Sequence, residues 1–136
     1  MTLPRAPATG APVIAPPVIA IVDDDASVRV AIGSLMRSLG YATRCFASAS
    51  DFLGSQGLGE TACLITDVQM PGMDGMELQR RLAARGHAVP VIFVTAYPEE
   101  RVRRQAAAAG AFGFLSKPFE GQAIIDCVEA ALGHTA

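Results

Sequence analysis

From residue 18 onward, short apolar runs alternate with stretches whose apolar positions recur every three or four residues. Residues 18–22 (Val-Ile-Ala-Ile-Val) are continuously apolar, as a strand covered on both faces must be. Residues 26–39 carry Val28, Ile32, Leu35, Met36 and Leu39 at helical spacing and are followed by Gly40 as a C-cap. The same alternation predicts strands over 42–46, 62–66, 91–94 and 112–115. Between and after them it predicts four more helices. Ser48, with Asp51 three residues later, caps a short helix to residue 53 that runs into a Gly-rich loop. Asp74 and Glu77 form a capping-box pattern that opens a helix to about residue 84. Pro98-Glu99-Glu100 opens the next, with proline in the first turn and acids at the positive end of the dipole, and Gly110 closes it. Residues 119–132 end the chain with Ile124, Ile125, Val128 and Leu132 on one stripe.

Five β-then-α units imply a doubly wound parallel sheet with helices on both faces. Ligands of such sheets bind beyond the carboxyl ends of the strands, at the switch point. The residues that end the strands therefore carry the functional reading. The first strand ends in Asp23, Asp24 and Asp25, and the third in Asp67. The fourth ends in Thr95, and the fifth runs into Ser116, Lys117 and Pro118. Lys117 is the only lysine; every other basic side chain is arginine.

Two carboxylates about 4 Å apart repel by roughly 4 kcal/mol at an effective dielectric of 20. One ammonium does not balance two or three of them. A hard divalent cation does, and carboxylates with waters suit Mg²⁺. An aspartate beside a metal, a lysine and a hydroxyl can act as a nucleophile toward phosphorus, with Thr95 donating to a phosphoryl oxygen.

Composition narrows the class. The 136 residues carry 11 Lys+Arg and 13 Asp+Glu, a net charge of −2, and half are apolar. That describes one folded domain and lacks the basic footprint of a nucleic-acid binder. No apolar run approaches the ~20 residues of a membrane span, and the proline-broken start does not read as a signal peptide. Cys45, Cys63 and Cys127 are odd in number, widely spaced and set in apolar stretches, so buried reduced thiols and a cytoplasmic location are expected. Residues 1–17, with five prolines among alanines, are expected to form a mobile or polyproline-like tail. The folded domain is expected over 18–133, with 134–136 as a short end.

Val22-Asp23-Asp24, Asp67-Val-Gln-Met-Pro-Gly-Met-Asp-Gly75, Val94-Thr95-Ala96 and Lys117-Pro118-Phe119 together resemble the four motifs of bacterial response-regulator receiver domains. The resemblance spans about residues 18–133. Thr-Ala-Tyr-Pro at 95–98 is similar to the nitrogen-fixation regulator (FixJ-type) branch, whose members often add a helix-turn-helix domain. The chain itself is expected to stand alone as a receiver.

The resemblance implies a flavodoxin-like (βα)5 fold with strand order 2-1-3-4-5 and a Lys117-Pro118 cis peptide. It implies that Asp67 accepts a phosphoryl group from a sensor histidine kinase, a phosphotransfer protein or a small phosphodonor. Mg²⁺ would be bound by Asp24, Asp67 and the Gln69 main-chain carbonyl, with Asp23 acting through water. Thr95 and Lys117 would hold the phosphoryl oxygens. On phosphorylation Thr95 would vacate a space that Phe114 fills. Phenylalanine has no hydroxyl, so that movement is expected to depend on packing alone. The face made by the fourth helix, fifth strand and fifth helix would then bind a downstream protein or a second copy. Gln69 and Tyr97 would flank the phosphoryl entrance, Tyr97 as a shield and Gln69 as a shield or a water-orienting group.

Simpler roles are expected elsewhere. One of Asp23 and Asp24 caps the first helix, Asp25 is a first-turn acid, and Asp74 is a cap. Arg103 and Arg104 pair with Glu99 and Glu100 at i,i+4. Met70, Met73 and Met76 fill core gaps, and His87 and His134 lack metal-like company. Two rival functions remain: the receiver part of a DNA-binding regulator, and a haloacid-dehalogenase-like phosphatase beginning at Asp23-x-Asp25. The phosphatase would need an acidic pair after Lys117, where only Glu120, Asp126 and Glu129 follow, on the last helix.

Overall fold

The computed structural model describes residues 15–133. All but the last three residues of the predicted tail, and His134, lie outside them. Five strands are present: β1 Val18–Val22, β2 Ala42–Phe46, β3 Thr61–Thr66, β4 Val91–Thr95 and β5 Gly113–Ser116. They form one all-parallel sheet in the order β2-β1-β3-β4-β5. The helices are α1 Ala26–Ser38, α2 Ala49–Leu53, α3 Gly75–Ala84, α4 Glu100–Ala108 and α5 Gly121–Ala131, with a 3-10 turn at Leu58–Glu60.

The period of two along each central strand sorts side chains onto two faces. Ala20, Val22, Leu64 and Phe93 pack with Phe52, Leu78, Leu82 and Ala106 under α2, α3 and α4. Ile19, Ile21, Ile65, Ile92 and Val94 pack with Ile32, Met36, Ile124 and Val128 under α1 and α5. Covering on both sides is why β1, β3 and β4 read as unbroken apolar runs. Met70 is buried, and Met73 and Met76 pack against the first of these cores, as expected.

Several boundaries differ from the sequence reading. The helix predicted from Pro98 starts at Glu100, because the Glu99 N–H donates to the Tyr97 carbonyl (2.8 Å) and closes a tight turn around the proline. Glu99 is thus the N-cap residue, and Glu100 alone faces both Arg103 and Arg104, at 3.8 Å each. The last helix begins at Gly121 after an extended Glu120, and β5 sits one residue later than predicted. The first helix is capped by Asp25, whose carboxylate accepts from the Ser27 N–H (2.9 Å) and Oγ–H (2.6 Å). Asp23 and Asp24 are therefore free of capping duty, a correction with consequences for the site. Asp74 does cap α3, accepting from the Glu77 N–H at 2.8 Å. Glu77 does not reciprocate; its carboxylate binds Arg80 and Arg81. Of the three cysteines only Cys63 is buried, its thiol pushed up to about 12 by burial. Cys45 is exposed because β2 is an edge strand, and Cys127 is half-buried.

No described helix is long and apolar enough to cross a membrane.

Candidate functional site

The strand order reverses at β1: one connection leads outward to β2, the next returns past β1 to β3. That makes β1/β3 the switch point, where the carboxyl ends leave an open crevice. Register brings the chemistry together there. Val22 pairs with Thr66, so their successors Asp23 and Asp67 emerge side by side. Thr95 pairs with Ser116, which sets Lys117 just beyond β4.

The Lys117 ammonium donates to Asp23 Oδ2 at 2.9 Å and to Asp67 Oδ2 at 3.0 Å. These residues lie 94 and 50 positions away in sequence. Asp23 and Asp67 are buried, Lys117 is largely covered, and Asp24 is exposed at the rim. Carboxylate oxygens of Asp23, Asp24 and Asp67 all lie within 4.8 Å of one another. At that separation and an effective dielectric of 20, each pair of ionised carboxylates repels by about 3.5 kcal/mol.

Burial and the bridge set the titration of Asp23 and Lys117. Burial raises Asp23 above the ordinary carboxylate range and the Asp67 charge adds to the rise, while the Asp25 N–H and Lys117 oppose it. Burial alone would pull Lys117 down, but its hydrogen bonds to Asp23 and Asp67 and their charges outweigh it and hold it above 10.5. The base therefore stays charged between Asp23 and Asp67, and with Asp24 beside them three carboxyl groups stand against one ammonium. A donor set of clustered oxygens with that excess fits a hard divalent cation.

Backbone contacts fix the acids. Asp23 Oδ1 accepts from the Asp25 N–H at 2.9 Å, and its carbonyl accepts from Arg29 at 2.6 Å. Asp67 Oδ1 accepts from the Gln69 N–H at 3.2 Å. Thr95 is fully buried and its Oγ1 accepts from the Tyr97 N–H at 3.1 Å. The Tyr97 ring points outward, 61% exposed, and Gln69 is exposed. Phe114 is half-buried, 6.3 Å from Phe93 between ring centroids, with the Arg103 guanidinium 4.8 Å above its ring. In this position the ring meets a cation as well as apolar neighbours. Lys117-Pro118 is cis, as the resemblance implied.

Residues 19–129 match the family described as response regulator receiver domain. The chain belongs to that family. This receiver is 42% identical over 115 residues to response regulator protein TmoT of Ectopseudomonas mendocina, covering 85% of this chain and 52% of that protein. It is 40% identical over 116 residues to transcriptional regulatory protein FixJ of Azorhizobium caulinodans, covering 85% and 55%. The crystal structure of a response regulator receiver protein from Burkholderia phymatum superposes with a TM-score of 0.76 at 48% identity, covering 88% of this chain and 98% of that one. The receiver spans about half the length of the curated relatives it matches.

Two contributors to the site escaped the sequence reading. Arg29 lies on α1, where the sequence pattern assigned it no role, and its guanidinium donates to the main-chain carbonyl of Asp23. Gly75 is buried at the start of α3, and its N–H donates to the Val68 carbonyl at 2.8 Å. A Cβ there would lie 2.2 Å from the Asp67 carbonyl oxygen, so only glycine lets α3 approach the chain that carries Asp67. The hint was a glycine directly after the cap Asp74, in a helix position where alanine is intrinsically better. Gly75→Ala is expected to cost about 1–3 kcal/mol of stability, read by urea unfolding. A neutral substitution would mean that the loop has slack the structure does not show.

Proposed function

We propose that this receiver accepts a phosphoryl group on Asp67 in a Mg²⁺-dependent reaction, donated by a sensor histidine kinase or a phosphotransfer protein. The observation that carries the reading is the single ammonium of Lys117 bridging two buried carboxylates at 2.9 and 3.0 Å, with a third within 4.8 Å. Such a group is one cation short and sits at the open end of the sheet.

An Asp67 carboxylate oxygen attacks phosphorus; the new O–P bond forms as the bond from phosphorus to the donor imidazole nitrogen breaks, and that nitrogen leaves with the electron pair. Lys117 lies beside Asp67 and pairs with the phosphoryl oxygens as they arrive. Thr95 turns its hydroxyl to donate to one of them. Asp24, Asp67 and the Gln69 main-chain carbonyl would hold Mg²⁺, with Asp23 reaching it through water. The metal would neutralise charge on the transferring group. Gln69 and Tyr97 flank the entrance and tune how long the phosphoryl group survives hydrolysis.

The protein is read as no enzyme toward other molecules, catalysing only its own phosphorylation and dephosphorylation in the cytoplasm. Its output is a change in the face formed by α4, β5 and α5, where Phe114 moves inward as Thr95 turns, and that face meets a protein effector or a second copy. A second reading makes this the receiver half of a DNA-binding transcriptional regulator. It is favoured by relatives about twice as long that are named transcriptional regulatory proteins.

Incubation with Mg²⁺ and acetyl phosphate should add one phosphoryl group to the intact mass of the wild type and none to Asp67→Asn. Equal uptake by the two proteins would rule out Asp67 as the acceptor.

A further inference from the structure

Phe114 carries no hydroxyl, so no hydrogen bond can anchor its ring in either of two places. What contacts it is a ring and a cation. Phe93, its register partner on β4, lies 6.3 Å away at an interplanar angle of 52°, within the range of favourable tilted aromatic pairs. The Arg103 guanidinium carbon stands 4.8 Å from the centroid, inside the ~6 Å reach of a cation–π contact.

Arg103 has little else to hold it. Its Nε is 3.8 Å from Glu100 Oε1, longer than a hydrogen bond, and Arg104 shares the same carboxylate at 3.8 Å. Exposed pairs of this kind contribute little. Ala106 is the one fully buried side chain of α4, so this helix is lightly anchored to the sheet. Arg103 and Phe114 also line a shallow cavity with Ala107, Ala111 and Phe112, so the Arg103 side of the ring is open rather than closely packed.

We propose that Arg103 is a positioning residue: it holds the Phe114 ring in its outward place, so that α4 sets how readily the ring moves toward Thr95. The inference rests on the reading of Thr95 and Lys117 as the groups that hold the phosphoryl oxygens. To move inward the ring must leave the guanidinium, and the lost contact weighs against the inward state. Removing the cation shifts the balance the other way. The shift is roughly 2- to 5-fold in population, the ratio that corresponds to a half-exposed cation–π contact.

The test reads the aromatic resonances of Phe114 by NMR in the unphosphorylated 136-residue chain, assigned by comparison with Phe114→Leu. Arg103→Met keeps the aliphatic stem and removes the charge; Arg103→Lys keeps a charge that can still face the ring. The Phe114 resonances of Arg103→Met should move toward their position in the acetyl-phosphate-treated wild type, and its initial rate of phosphorylation should rise roughly 2- to 5-fold. Arg103→Lys should fall between Arg103→Met and the wild type. Resonances of Arg103→Met that stay at the wild-type position overturn the proposal, as does a lower melting temperature with the resonances unmoved, which is what a merely structural contact would give. The resonance comparison is separable from the acceptor chemistry: failure of the wild type to gain mass removes the reading of Asp67, whereas an unmoved ring with normal mass gain removes only the role of Arg103.

Discussion

Lys117→Met is expected to destabilise the metal-free protein by about 3–5 kcal/mol at neutral pH, the usual consequence of removing one partner from a buried ion pair. The substitution keeps the stem and deletes the charge, leaving Asp23 and Asp67 facing each other under cover. Asp23 is already raised by burial with the ammonium present. A carboxylate raised in the folded state lends stability below its unfolded value, and that stability is lost as pH rises through the folded value. The sign follows: the defect of Lys117→Met should be largest at neutral pH and shrink as the solution is acidified and the two acids take up protons. Adding Asp23→Asn to Lys117→Met should recover part of the loss, because it removes one of the uncompensated charges. Urea unfolding with a chelator present measures all three. A loss below about 1 kcal/mol, the value of an exposed pair, would show that the ammonium does not hold the site together.

The second large effect is the response to Mg²⁺. At a free concentration about a hundredfold over its dissociation constant, Mg²⁺ should stabilise the wild type by about 2.7 kcal/mol, a rise in melting temperature on the order of 10 °C. Asp24→Asn should lose most of that response. It should also be slightly more stable than the wild type without metal, since Asp24 is the exposed member of the cluster and is not bonded to Lys117. Asp67→Asn should lose the response as well, but with little or no gain in the metal-free state, because it gives up its bond to Lys117 while it relieves repulsion. Charge counting along the sequence treats the two substitutions alike; the bridge seen in the structure separates them. Differential scanning calorimetry with and without Mg²⁺ distinguishes these cases, and equal responses in all three proteins would contradict the assigned donors.

The fold was legible because a parallel sheet covered on both faces writes itself as apolar runs such as Val18–Val22, each followed by helical spacing. The acids and the lysine were legible for a related reason. Strand ends are easy to find in such a pattern, and a doubly wound sheet gathers its strand ends in one place. Contacts that depend on side-chain reach could not be read this way. The cap of α1 passed to Asp25 because Ser27 stands two residues beyond it with both a backbone and a hydroxyl donor, a geometry that three consecutive aspartates do not reveal. Arg29 and Gly75 support Asp23 and Asp67 by meeting their main-chain carbonyls, partners that the residue types at 23 and 67 do not announce. Arg103 meets Phe114 only because α4 lies against β5, so Arg103 and Arg104 beside two glutamates read as ordinary i,i+4 ion pairs. Cys45 is exposed because β2 is the sheet's edge, which the strand order implied by the resemblance already contained but the apolar residues around the cysteine do not show.

The central claim is that the carboxylate bridged by Lys117 at the end of β3 is where phosphorus is received. It is tested most directly by treating the wild type with acetyl phosphate and Mg²⁺, reducing the product with borohydride, and mapping the peptides by mass spectrometry. Reduction converts an acyl phosphate to the corresponding alcohol and so marks its position. One mark is expected, on Asp67, absent when Mg²⁺ is chelated. A mark on Asp23 or Asp24 instead, or none on a folded protein, would contradict it.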